Sequence, residues 1–154
     1  MKKAITIPVT LASGIALAAG GSGVDLWKAA DLKSAGSELA AGLSGKKAAG
    51  KSLAAYSNHA AMITYREASG EAEIHDTKVD IFVVIAGTAT LEVGGDVVNA
   101  KKSGPETLGE SIRGGEKLTL GAGDIVHIPA KTPHQLLIKP GVKFTYFVLK
   151  VNAE

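Results

Sequence analysis

Beyond Ser52 the chain is cut by glycine and proline into short runs of continuous or alternating apolar residues, with no helical periodicity between them. Such a pattern builds successive strands in a sandwich or barrel, and it excludes a doubly wound α/β fold, in which helices alternate with strands. Strands are expected over residues 53–57, 60–67, 72–75, 81–85, 89–93, 97–100, 116–120, 125–128, 134–138 and 144–151. Turns fall at Gly70, Gly87, Gly94-Gly95, Gly104-Pro105, Gly114-Gly115, Gly121 to Gly123, Pro129 and Pro140-Gly141. The runs 81–85 and 144–149 are apolar on both faces, so both sides must be covered, and pairing of two chains into a homodimer is the simplest way to cover the outer one.

At 154 residues and 15.7 kDa the chain is the size of one domain. Three parts are expected: a signal peptide over residues 1–18, a linker and helix over 19–50, and a β domain over 51–154. Lys2-Lys3 is a short basic head, Ala4 to Ala19 is uncharged, and Ala16-Leu17-Ala18 fits the small-x-small rule of signal peptidase. The run is diluted by Thr6, Pro8, Thr10, Ser13 and Gly14, which argues against a membrane anchor and for export to a bacterial periplasm or beyond, with no stable membrane insertion after cleavage. Over residues 26–43, Leu32, Leu39 and Leu43 have helical spacing, weakened by Gly36 and Gly42; that helix is either a strap over one end of the fold or a partner-binding arm.

With no cysteine there is no disulfide framework and no thiolate ligand, so any metal must use nitrogen and oxygen donors. The net charge of +2 is that of Lys2 and Lys3, the remaining basic and acidic residues being equal in number, and without a basic stripe nucleic acid is not an expected partner. No serine or cysteine nucleophile elbow, phosphate-cradling glycine loop or nicotinamide fingerprint is present.

Two contexts carry the chemistry. Glu73 and His75, two apart in a strand, share a face, and Asp80 opens the next strand after a short connection. Further on, Pro129 and Pro133 shape a bend that delivers His134 to the start of another strand. Carboxylates that converge in an interior repel unless a cation or a protonated histidine sits between them.

The spacing Glu73-x-His75-x4-Asp80-x6-Gly87 resembles the first cupin motif, G-x5-H-x-H-x3–4-E-x6-G, and Gly123-Asp124-x4-Pro129-x4-His134 resembles the second, G-x5-P-x-G-x2-H-x3-N. The resemblance spans residues 53–151 and implies a small secreted single-domain cupin: an all-β jelly-roll barrel with a metal inside. Cupins include dioxygenases, decarboxylases, isomerases, lyases and sugar-binding proteins, so the resemblance implies a fold more than an activity. Carried over position by position, it implies that Glu73, His75, Asp80 and His134 hold a divalent ion such as manganese, iron(II), nickel or zinc, all of which accept imidazole and carboxylate. Glu73 stands where the first histidine of the motif belongs, Asp80 replaces the longer glutamate, Lys131 replaces a glycine, and Ile138 replaces the asparagine.

Three function classes follow: a metal-dependent enzyme acting on a small oxygenated molecule, a metal-free barrel that binds a small ligand without turnover, and a structural or partner-binding role for the outer sheet faces. His127 either lines the pocket or lies on the outer face. His59 is either an acid or base at the barrel mouth or a turn residue. Arg66 is an anion anchor or a surface ion-pair partner. The polar segment 96–115 is either a substrate-selecting loop or a solvated excursion.

Overall fold

The computed structural model describes residues 23–154. The candidate signal peptide and the start of the linker lie outside the described residues.

In chain order the elements are α1 (Ala29–Ala41), β1 (Ala48–Ala55), β2 (His59–Arg66), β3 (Ala72–His75), β4 (Lys78–Ala86), β5 (Thr88–Val93), β6 (Asp96–Val98), β7 (Lys101–Ser103), β8 (Glu106–Gly109), β9 (Ser111–Arg113), β10 (Glu116–Gly121), β11 (Ile125–Ile128), β12 (His134–Leu137) and β13 (Phe144–Asn152). One sheet has the order β1-β2-β13-β4-β11, the other β10-β5-β12-β3-β8-β7, and β6 with β9 forms a separate ribbon. All pairings are antiparallel. Because the two large sheets meet through side chains and not through a shared ladder, they do not close into a hydrogen-bonded barrel. The expected barrel is therefore an open two-sheet jelly-roll sandwich.

Period-two alternation sorts the apolar residues between two cores. Phe82 and Val84 of β4 and Phe144, Tyr146 and Val148 of β13 face the second sheet, where they meet Leu91 and Leu136. Their neighbours Val83, Ile85, Phe147 and Leu149 point to the opposite side, where α1 lies on them with Leu32, Ala35 and Leu39. Those three, with Gly36, follow an i, i+3, i+4, i+7 stripe, and the sole tryptophan, Trp27, packs on Phe147 at 5.4 Å between ring centroids. The residues whose two-sided apolarity suggested pairing of two chains are thus covered within one chain, and α1 is a strap.

Gly36 makes this close approach possible, since a Cβ at its position would lie 2.6 Å from Thr145 Cγ2. Gly36→Leu should therefore cost about 1–3 kcal/mol by overpacking and shift the Trp27 fluorescence to the red as α1 lifts. Unchanged fluorescence and an unchanged denaturation midpoint would show that α1 does not bear on the sheet.

Segment 96–115 is not a loop. It supplies β6 to β9, of which β7 and β8 extend the second sheet beside β3, while Gln135 of β12 donates from Nε2 to the Glu110 carbonyl at 3.3 Å and to that of Gly70 at 2.9 Å. Short polar strands that alternate with turns every few residues read as loop, because their apolar faces are only one or two residues wide.

Candidate functional site

The site lies between the sheets. β3 presents Glu73 and His75 on its inner face, as their two-residue spacing requires, and β12 pairs antiparallel with β3 so that His134 stands opposite Glu73. The turn before β12 is anchored by Lys131, whose backbone N–H donates to the His75 carbonyl at 2.8 Å. Lys131 occupies the glycine position of the resembled motif and keeps a glycine-like backbone, with φ of 64°. The facing sheet contributes Asp80 of β4 and Lys150 of β13, which are directly paired across their strands.

One oxygen of Glu73, one nitrogen of His75 and one of His134 lie within 4.8 Å of one another, a spacing that could hold a metal ion. Nε2 of His75 is 3.5 Å and Nε2 of His134 is 3.9 Å from Glu73 Oε2. Asp80 lies beside them, with Oδ2 at 3.4 Å from His75 Nε2 and 4.0 Å from His134 Nε2, but both of its oxygens also accept from Lys150 Nζ, at 2.9 and 2.8 Å. All four expected residues meet; Asp80, however, already has a cation.

His134 is buried, and its Nδ1–H donates to the Thr132 carbonyl at 2.9 Å. That bond selects the tautomer in which Nε2 carries a lone pair, and this buried atom has no hydrogen-bond partner among the described residues. A buried polar atom left unpaired costs about 1–3 kcal/mol unless something binds it. Burial, only partly opposed by the Thr132 carbonyl and the nearby carboxylates, pushes the imidazolium down and keeps the ring neutral, as a ligand must be.

His75 is held from the other side: Nδ1 donates to Glu106 of β8, which sits directly opposite it in the ladder. Burial favours the neutral ring, but the bonds to Asp80 and Glu106 outweigh it, so its pKa is raised. The neutral ring accepts an N–H from Lys150 Nζ at 3.2 Å, and Asp80 Oδ2 lies 3.4 Å from the same Nε2, placed to accept its N–H when the ring is protonated. Burial would raise the Asp80 carboxyl, yet the His75 bond and the Lys150 ammonium hold it below its ordinary value. Counting the groups so linked, three carboxylates face one ammonium when both imidazoles are neutral. The Arg66 guanidinium, which also acts on Glu73, offsets one of them, so a net negative charge remains that favours a bound cation.

Glu106 and Lys150 were not foreseen as site residues. Lys150 was findable, because alternation from the inward Phe144, Tyr146 and Val148 brings it to the same face; Glu106 gave no local signal. Of the remaining candidates, His127 is exposed on β11, and His59 opens β2 with its ring stacked on Tyr56 at 4.4 Å. Arg66 turns inward, where Nε donates to the Tyr146 hydroxyl at 3.1 Å.

No protein-family model and no curated protein matches the chain. Among solved structures, it is similar to the DMSP lyase DddQ from Ruegeria pomeroyi, at 20% identity and a TM-score of 0.51, over 68% of this chain and 47% of that one. It therefore spans about half the length of that lyase. It is also similar to the polyketide cyclase RemF from Streptomyces resistomycificus, at 15% identity and a TM-score of 0.51, covering 71% of this chain and 67% of the cyclase. A putative mannose-6-phosphate isomerase from Ralstonia eutropha matches at 13% identity and a TM-score of 0.51, over 70% of this chain and 87% of that one. These neighbours are cupin-fold proteins, and at such identities the likeness shows the cupin fold alone.

Proposed function

We propose that this chain is a divalent-metal-binding cupin-fold protein that acts on a small oxygenated molecule, the ion being held by His75, His134 and Glu73. The observation that carries the reading is the buried Nε2 of His134, which has no hydrogen-bond partner among the described residues, beside Glu73 and His75. The surrounding residues prepare the donors: the Thr132 carbonyl and Glu106 each fix one ring through its Nδ1, leaving both Nε2 atoms on the side of Glu73. A divalent ion so bound would supply a Lewis acid for a carbonyl, carboxylate or hydroxyl oxygen. The fold neighbours, a lyase, a cyclase and a putative isomerase, are compatible with such chemistry. Export to the periplasm or beyond is part of the proposal and is supported by Lys2-Lys3 and Ala16-Leu17-Ala18.

A second reading, a metal-free cupin that binds a small ligand, is favoured by one feature: Lys150 already neutralises Asp80 and satisfies His75 Nε2. Titration of metal-depleted protein separates the two. On the metal reading, manganese, iron(II), nickel or zinc binds at one equivalent per chain, and an excess of about 100 times Kd adds about 2.7 kcal/mol of stability. A flat response to all four ions would dismiss the metal site and leave the ligand-binding cupin.

A further inference from the structure

We infer that Lys150 is a tethered cation of the site, contesting with a divalent ion the lone pair of His75 Nε2; this rests on the metal reading above. Three observations support it. Lys150 Nζ spends two donors on Asp80, at 2.9 and 2.8 Å, and a third on His75 Nε2 at 3.2 Å, the same nitrogen that lies 3.5 Å from the Glu73 carboxylate. An ion seated between Glu73 and the histidines would need that lone pair and would meet a like charge at short range.

Lys150 can also give way. Its side chain is 31% exposed on a flexible stem, whereas Asp80 is 3% exposed and directly opposite it in the ladder. Withdrawal costs the bond to His75 and keeps both bonds to Asp80. The ammonium would then remain within the site instead of leaving for solvent, so the ion never binds free of its field. The charges that face Lys150 are those of Asp80 and, across His75, Glu73 and Glu106, with the His134 ring behind them. In the metal-free state Lys150 therefore partly neutralises the carboxylates that would otherwise repel one another. The consequence is a centre whose metal affinity is set below what its donor set would allow.

The test is calorimetric titration of the full metal-depleted chain with manganese and with zinc, comparing wild type, Lys150→Met and the double variant Asp80→Asn/Lys150→Met, with folding followed by circular dichroism. Lys150→Met should bind about tenfold or more tightly than wild type, since one positive charge next to the ion has gone. The double variant leaves no buried carboxylate unpaired, and so decides the matter if the single one does not fold; it removes one charge of each sign, so it tests the freed His75 lone pair alone and should bind more tightly than wild type by a smaller factor. Equal affinities for wild type and the folded variants would overturn the role of Lys150 and leave the metal site standing. Binding by none of the three would overturn both.

Discussion

His134→Ala should lower divalent-metal affinity by at least about 100-fold, beyond the range seen when only an outer partner of a ligand is removed. The expectation follows from the burial and pre-orientation of this ring: its Nε2 is a buried donor atom with no hydrogen-bond partner among the described residues, and Thr132 fixes the tautomer. His127→Ala, on the exposed face of β11, should leave affinity unchanged and serves as the control. The metal-free His134→Ala protein should fold, because the substitution removes one hydrogen bond but also a buried unpaired atom, two effects of opposite sign and similar size. Isothermal titration against a chelator-treated sample reads the affinity. Retention of wild-type affinity in the alanine variant would remove His134 from the site.

The second large effect falls on stability. Lys150→Met should destabilise the metal-free protein by about 3 kcal/mol, the lower end of the range for leaving a buried charge without its partner; the lower end applies because Lys150 is 31% exposed and water takes over part of its role. Asp80→Asn/Lys150→Met should recover most of that loss, since no buried charge is then left without its partner. The pH dependence follows from the direction of each shift. The Asp80 carboxyl is held below its ordinary value of 3.8, so its contribution is present above that pH and is lost as pH falls through the folded-state pKa. In Lys150→Met burial acts on Asp80 without the ammonium, and the gap between variant and wild type should narrow in acid.

The histidines act higher. His134, lowered from 6.5, contributes stability above that value which fades as pH falls through it; His75, raised from 6.5, contributes below it and fades as pH rises through the folded-state pKa. The two windows adjoin at 6.5 and do not overlap, so the loss just below 6.5 belongs to His134 and the further loss below 3.8 to Asp80. Denaturant titration of the three proteins from acid to neutral pH measures this. A loss below about 1 kcal/mol in Lys150→Met at neutral pH, the range of an exposed pair, would mean that the Lys150–Asp80 pair is a solvent-screened contact.

Much of the strand arrangement was legible because strands are a local matter. Glycine and proline bound the runs, and alternation assigns faces without reference to partners; β3 and β11 come out at the expected bounds, and β4, β10 and β13 within a few residues. β1 begins at Ala48 instead of residue 53, since Ala48 to Lys51 is poor in branched and aromatic residues and is held as a strand by its pairing with Ile63 to Arg66 of β2. In the segment 96–115, likewise, pairing with β3 and within the β6–β9 ribbon supplies what local propensity does not.

The sequence by itself determined the strand-rich pattern and the shared face of Glu73 and His75, because a two-residue period is a property of a short stretch of chain, and the resemblance to the cupin motifs implied that Asp80 and His134 join them. What only the tertiary structure decided was what each of these groups touches. That α1 covers the outer face of β2, β4 and β13 depends on Gly36 meeting Thr145, more than a hundred residues away in the chain. That Asp80 already holds an ammonium depends on β13 lying beside β4 in one particular register, which pairs Lys150 with Asp80. A shift of one residue would turn Lys150 to the opposite face. Composition and spacing specify which donors are available, but the charge balance among them depends on distances of a few ångströms between strands far apart in the chain.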